Sequence, residues 1–125
     1  MSRTTSISEA ESVIMQALWA RSPLTAEEVV VALANVTDWE ETTVKTFLNR
    51  LLRKGAIRAS KQGRRYLYTP KLTRDHWLLQ ESSGLLDRLF SGRVAPLVAH
   101  FSKHRKLSAK DVQELKELLE EISHE

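Results

Sequence analysis

The sequence predicts a mainly α-helical chain with one small β-hairpin near its middle. Three observations carry that expectation. In the first part, apolar residues recur at helical spacing behind capping residues. Around Gln62-Gly63 the period changes to short strand-like runs. Beyond Thr73 helical spacing returns and continues to the last residues.

Ser8-Glu-Ala-Glu11 is a capping box and starts the first helix, which carries Val13, Ile14, Ala17 and Leu18. Ser22-Pro23 ends it. Thr25-Ala-Glu-Glu28 is a second capping box and opens a short helix with Val29, Val30 and Leu33. Each cap stabilises by roughly 1 kcal/mol, enough to fix where a helix begins. Asn35 to Trp39 reads as a turn. A third helix runs from about Glu41 to Lys54 and stops at Gly55, a residue suited to the left-handed position after a helix. Ile57-Arg-Ala-Ser60 and Tyr66-Leu-Tyr-Thr69 are strands, and Pro70 closes the unit. Strands this short need helices beneath them. Helix, helix, helix, hairpin is the layout of a winged helix-turn-helix, here assigned to residues 1–70.

The third helix has two faces. Val44, Phe47, Leu48, Leu51 and Leu52 fall on one side and point to a core. Thr42, Thr43, Lys45, Thr46, Asn49, Arg50 and Arg53 fall on the other, which reads as free of carboxylates. Hydroxyl, amide, ammonium and guanidinium groups are those that hydrogen-bond phosphates and base edges in a major groove. Arg50 can fork onto a guanine edge and Asn49 can pair with an adenine, while the threonines suit phosphates or thymine methyls. Lys61, Arg64 and Arg65 on the hairpin suit phosphates or the adjacent minor groove. The net charge is only +3, but from Thr42 to Arg74 every charged residue is Lys or Arg. The stretch Asp111 to Glu125 is mostly acidic. A one-signed segment makes a local field that favours a polyanion. Double-stranded DNA is the expected partner; an acidic protein facing the same surface is the competing one.

Residues 71–125 form the helical tail. Trp77, Leu78, Leu85, Leu86, Leu89 and Phe90 share a broad face up to Ser91-Gly92. A shorter helix over 93–103 turns Leu97, Val98 and Phe101 inward. Ser108 caps a last helix with Val112, Leu115, Leu119 and Ile122 at heptad-like spacing, widened by Leu118. Three helices this short cannot easily bury their own apolar faces. A two-fold partner would cover them; packing back onto the N-terminal unit is the monomeric alternative. The residues expected at a dimer interface are Trp77, Leu85, Leu89, Phe90, Leu97, Phe101, Leu115 and Leu119.

Other classes are disfavoured. The chain has 125 residues, 42% of them hydrophobic, enough for one domain or two small ones. It has no cysteine, which excludes disulfides and thiolate metal sites and fits a reducing cytoplasm. The N-terminus lacks a signal-like segment, and no apolar run approaches the roughly 18 residues that span a bilayer. A cytoplasmic protein without membrane insertion is expected. No nucleophile–base pair, paired carboxylates or glycine-rich phosphate loop suggests catalysis or a cofactor. His100 and His104 share a helix face, but further ligands for a metal are missing from the frame. Trp19, Trp39 and Trp77 read as core or interface anchors, with Trp39 a lid on the third helix.

Several of these residues carry a family likeness. Ile7-Ser-Glu-Ala-Glu11, Val13-Ile-Met and Leu18-Trp19 resemble the opening of the penicillinase and methicillin-resistance repressors, the BlaI/MecI/CopY family. So do Thr43-Val-Lys-Thr-Phe-Leu-Asn-Arg-Leu51, Lys54-Gly55, Gly63-Arg, Tyr66-Leu-Tyr, Leu86-Asp-Arg-Leu-Phe90 and Leu97-Val-Ala-His-Phe101. The likeness extends from about Ile7 to Leu119. It implies a homodimeric transcriptional repressor that binds dyad-symmetric operators through the winged helix and dimerises through the C-terminal helices. In the antibiotic-responsive branch, a sensor metalloprotease leads to cleavage in the tail at an Asn-Phe bond; the matching bond here is His100-Phe101. The copper-responsive branch uses a cysteine cluster, which this chain lacks. The alternative is a winged-helix regulator controlled by a small ligand or a metal rather than by cleavage.

Overall fold

The computed structural model describes residues 6–124, so the first five residues of the N-terminal reading and Glu125 lie outside the described residues. The elements in order are α1 (Glu9–Ala20), α2 (Ala26–Ala32), α3 (Glu41–Lys54), β1 (Ile57–Gln62), β2 (Arg65–Pro70), α4 (Arg74–Leu89), α5 (Val94–Lys103) and α6 (Ala109–Ser123). The chain divides into two compact units, Met1–Gln80 and Glu81–Glu125. The division falls inside α4.

Local chemistry sets the helix starts. Ser8 Oγ accepts from the Glu11 N–H at 3.1 Å, and Glu11 Oε1 accepts from the Ser8 N–H at 2.8 Å. Thr25 and Glu28 form the same reciprocal pair, as do Ser108 and Asp111 ahead of α6. α3 begins at Glu40 without a side-chain cap. Its entry is instead held by Trp39, whose ring lies 4.9 Å from that of Phe47, an apolar contact that acts as a staple does. Gly55 ends α3 at φ +77°, where a side chain would be strained.

The core of the first unit joins every element that encloses it. Ile14, Met15 and Leu18 of α1 meet Val29 of α2, Val44, Leu48 and Leu51 of α3, and Ile57 and Tyr68 of the hairpin. Each such aliphatic side chain contributes about 1.5–3 kcal/mol by leaving water. Phe47 and Leu52, expected in the core, are only half-buried at its edge. The hairpin is antiparallel in the register Ile57↔Pro70 to Gln62↔Arg65, longer at its turn end than the sequence suggested. Gly63 leads the two-residue loop at φ +65°, as tight hairpins require. Only Ile57 and Tyr68 of the hairpin are buried, so its distal half stands in solvent.

One anchor was not foreseen. Leu24, between α1 and α2, exchanges backbone hydrogen bonds with Tyr68 at 3.2 and 2.8 Å. This third partner fastens the base of the hairpin to the helices. Past Pro70, the Trp19 indole donates to the Leu72 carbonyl at 2.8 Å, and Trp77 packs 5.3 Å from Trp19. Trp77, half-buried, therefore rests on the core of the first unit, in keeping with the core-anchor alternative. The physical reason is short reach: Leu72 is tied to Trp19, and α4 starts directly afterwards.

The second unit contrasts with the first. No residue of α5 or α6 is buried, and the same holds for α4. Leu89 is 62% exposed and Leu119 63%.

The first unit also holds an ion pair whose carboxylate is buried and whose ammonium is half-buried. Glu11 is 1% exposed, and the Lys54 ammonium at the end of α3 reaches its carboxylate at 2.5 Å. The same ammonium donates to the Ser6 carbonyl at 2.8 Å. Burial would raise the Glu11 carboxyl, but the hydrogen bonds from Lys54 and from the Ser8 backbone outweigh it and hold the group below its ordinary value. A lowered carboxyl stabilises the fold above the ordinary carboxylate range, and that gain is lost as pH falls through the lowered value. Lys54→Met leaves the carboxylate buried and unpaired. It should destabilise the protein by about 3 kcal/mol at neutral pH in urea titrations, and the deficit should vanish in acid, where Glu11 is protonated in both proteins.

Candidate nucleic-acid interface

α3 presents its polar residues where they were expected. Thr42, Lys45, Thr46, Asn49, Arg50 and Arg53 are exposed, and Thr43 is half-buried at the edge. Opposite them Val44, Leu48 and Leu51 are fully buried. The core contacts thereby fix the rotation of the helix about its axis, and with it the direction of the polar face. Thr46 donates its hydroxyl proton to the Thr42 carbonyl at 3.0 Å, which leaves its oxygen lone pairs outward. Thr46, Asn49, Leu52 and Arg53 line one open depression on the surface.

Arg50 has a support of its own. Its guanidinium lies over the Phe47 ring, 5.6 Å from the centroid, and Phe47 is backed by Trp39. The three side chains form a cluster, with the two rings tilted by 47°, in which the arginine is steadied by an aromatic face rather than by a carboxylate. A cation on an aromatic face is stabilised by about 0.5–1 kcal/mol at an exposed site, and its hydrogen-bonding fork stays free. This explains why Phe47 sits at the edge and not inside the core. The periodicity of the helix does not distinguish the two.

The hairpin supplies Lys61, Arg64 and Arg65, all exposed. Two features of this surface depart from the sequence reading. Lys45 is paired with Glu41 one turn earlier, at 2.9 Å, so the polar face is not free of carboxylates. Glu41 raises the Lys45 ammonium above its ordinary value, first through this hydrogen bond and then through its charge. Arg65 lies 3.6 Å from Glu27 of α2. The Glu41–Lys45 spacing is a helix pair that the sequence alone could have disclosed. The Glu27–Arg65 pair joins distant segments and left no local signal. Lys54, counted with the basic run, is half-buried and its charge is paired with Glu11, so it adds little to the surface field.

In the second unit, Leu85, Leu89, Phe101 and Leu119 are exposed, and Phe90, Leu97 and Leu115 are half-buried. An apolar groove of about 590 Å3 is lined by Ser82, Leu85, Leu86, Leu89, Phe90, Val94, Leu97, His100 and Phe101. The His100-Phe101 peptide bond lies inside α5. The His100 and His104 rings meet at a tilt of 54° with centroids 4.6 Å apart. No group of three or more His, Cys, Asp or Glu suited to a metal occurs among the described residues. No helix among them is long and apolar enough to cross a membrane.

Comparison with known proteins matches this geometry. The chain is 32% identical over 121 residues to a penicillinase repressor of Bacillus licheniformis, covering 97% of this chain and 94% of that one. It is 25% identical over 117 residues to the methicillin resistance regulatory protein MecI of Staphylococcus aureus (strain N315), covering 94% and 95%. Among solved structures, the DNA-binding domain of the repressor BlaI aligns with a TM-score of 0.53 at 34% identity, over 61% of this chain and 93% of that one. The monomeric form of Bacillus licheniformis BlaI, solved in complex with the blaP half-operator, aligns at 0.51 with the same identity and coverage. A family model described as penicillinase repressor matches residues 7–121, and the chain belongs to that family.

Proposed function

We propose that this chain is a transcriptional repressor that binds dyad-symmetric operator DNA as a homodimer. The observation that carries this reading is the outward cationic face of α3, held in direction by Val44, Leu48 and Leu51 and continued by the hairpin. In this reading α3 lies in the major groove. Arg50 and Asn49 read base edges, Thr42, Thr43, Lys45, Thr46 and Arg53 meet phosphates or thymine methyls, and Lys61, Arg64 and Arg65 engage the backbone beside the wing. The solved half-operator complex of the related BlaI supports the assignment.

The tail is the second half of the proposal. Its exposed leucines are poorly suited to water, and a second copy related by a two-fold axis covers the same patch on both subunits. Two recognition helices then stand about 34 Å apart, or a multiple of it, matching an operator dyad. The second half-site is bound at high effective concentration, so loss of the dimer releases the DNA. Cleavage at His100-Phe101 in response to a sensor metalloprotease would detach α6 and weaken that dimer. Because the bond is helical, α5 must open locally before a protease can hold it.

Arg50→Ala should weaken operator binding about ten- to hundred-fold in gel-shift titrations, the loss of one bidentate base contact, while sedimentation shows an unchanged dimer. Unaltered affinity would remove Arg50 from the interface. Leu89→Glu should convert the dimer to a monomer in sedimentation, with the first unit still folded and the helical circular-dichroism signal reduced by the loss of the uncovered tail helices. A dimer that survives this change would move the interface elsewhere.

A further inference from the structure

The carboxylates within the cationic surface are unexpected for a DNA-binding face. Both lie at one cleft of about 120 Å3 between α2, the start of α3 and the hairpin, whose lining includes Thr25, Glu27, Glu41, Lys45, Arg65 and Tyr68. Glu41 holds Lys45 at 2.9 Å and Glu27 holds Arg65 at 3.6 Å. All four side chains are well exposed. Both glutamates sit in the first turn of a helix, where a negative charge is favourable, but that placement needs no cation partner, and exposed pairs of this kind add little to folding. They are, however, weak enough to exchange with a phosphate.

We propose that Glu27 and Glu41 are specificity-determining residues that keep Arg65 and Lys45 partnered until DNA in the correct register displaces them. The inference rests on the DNA-binding reading above. On a cognate site, phosphates meet both cations while Arg50 and Asn49 meet their bases, and the gain outweighs two released carboxylates. Where the base contacts fail, the cations stay with their glutamates, and two negative charges face the DNA backbone. Like-charge contact of this sort disfavours wrong partners more than right ones. The pairs thus lower non-specific affinity at small cost to the specific complex. They also blunt the salt dependence, because each freed carboxylate takes up a cation as the DNA loses one.

The test uses the full chain, a duplex selected by it from random-sequence DNA, and a scrambled duplex of equal length. Affinities are measured by fluorescence anisotropy across a salt series for Glu27→Gln, Glu41→Gln and the double variant. Glu120→Gln in α6 serves as a control with the same change in net charge. Each cleft variant should bind the scrambled duplex about two- to five-fold more tightly, with a smaller gain on the selected duplex. The slope of log affinity against log salt should steepen by up to about 0.9 for each cation freed. On a Lys45→Met background, Glu41→Gln should no longer alter the slope. Equal gains from Glu120→Gln would overturn the proposal by reducing it to net charge. A loss of affinity for the selected duplex would overturn it by making the carboxylates direct DNA contacts. Wild-type binding with unaltered variants removes this inference alone, whereas failure of the wild type to bind any duplex removes the DNA-binding reading and the inference with it.

Discussion

Everything in the first unit depends on one helix serving two surfaces. Val44, Leu48 and Leu51 of α3 are sealed against α1, α2 and the hairpin, so α3 cannot rotate without opening the core. Its polar residues inherit that rigidity. A recognition surface built on a loop would spend binding energy on ordering itself; here the ordering cost is met on folding, by the same contacts that close the core. The Glu11–Lys54 pair locks the far end of α3 to α1, and the Trp39–Phe47 contact locks the near end. Between these two points the side chains of Asn49 and Arg50 have a fixed base to project from.

The second unit obeys a different constraint. α5 and α6 are short and amphipathic, with a capping box only on α6, yet among the described residues they bury no side chain completely. Helices of ten and fifteen residues gain too little from their own hydrogen bonds to stand in water on propensity alone. Their apolar stripes therefore need cover. In the proposed dimer that cover comes from a second copy, and stability of the tail becomes inseparable from assembly. In the proposed reading, a tail of such low local stability is also the part a protease could open.

Much of this was legible in the sequence, for reasons specific to each element. The capping boxes at Ser8 and Thr25 and the left-handed Gly55 gave helix boundaries because they act within a few residues. The direction of the α3 face was legible because helical periodicity sorts residues by side. What was missed was non-local. The Leu24–Tyr68 bridge, the Glu11–Lys54 pair and the Glu27–Arg65 pair each join distant segments, and no spacing rule connects them. Trp77 shares an apolar stripe with Leu85 and Leu89, so periodicity leaves it either a core or an interface anchor; contact with Trp19 seats it on the core. Phe47 was assigned to the core by periodicity, although its ring also carries Arg50.

The most direct measurement is a backbone amide shift map of the isotope-labelled full chain titrated with its selected duplex. The largest changes should fall on the outward side of α3, from Thr42 to Arg53, and on the hairpin from Lys61 to Arg65. Changes confined to α5 and α6, with α3 and the hairpin unmoved at saturating duplex, would contradict the account.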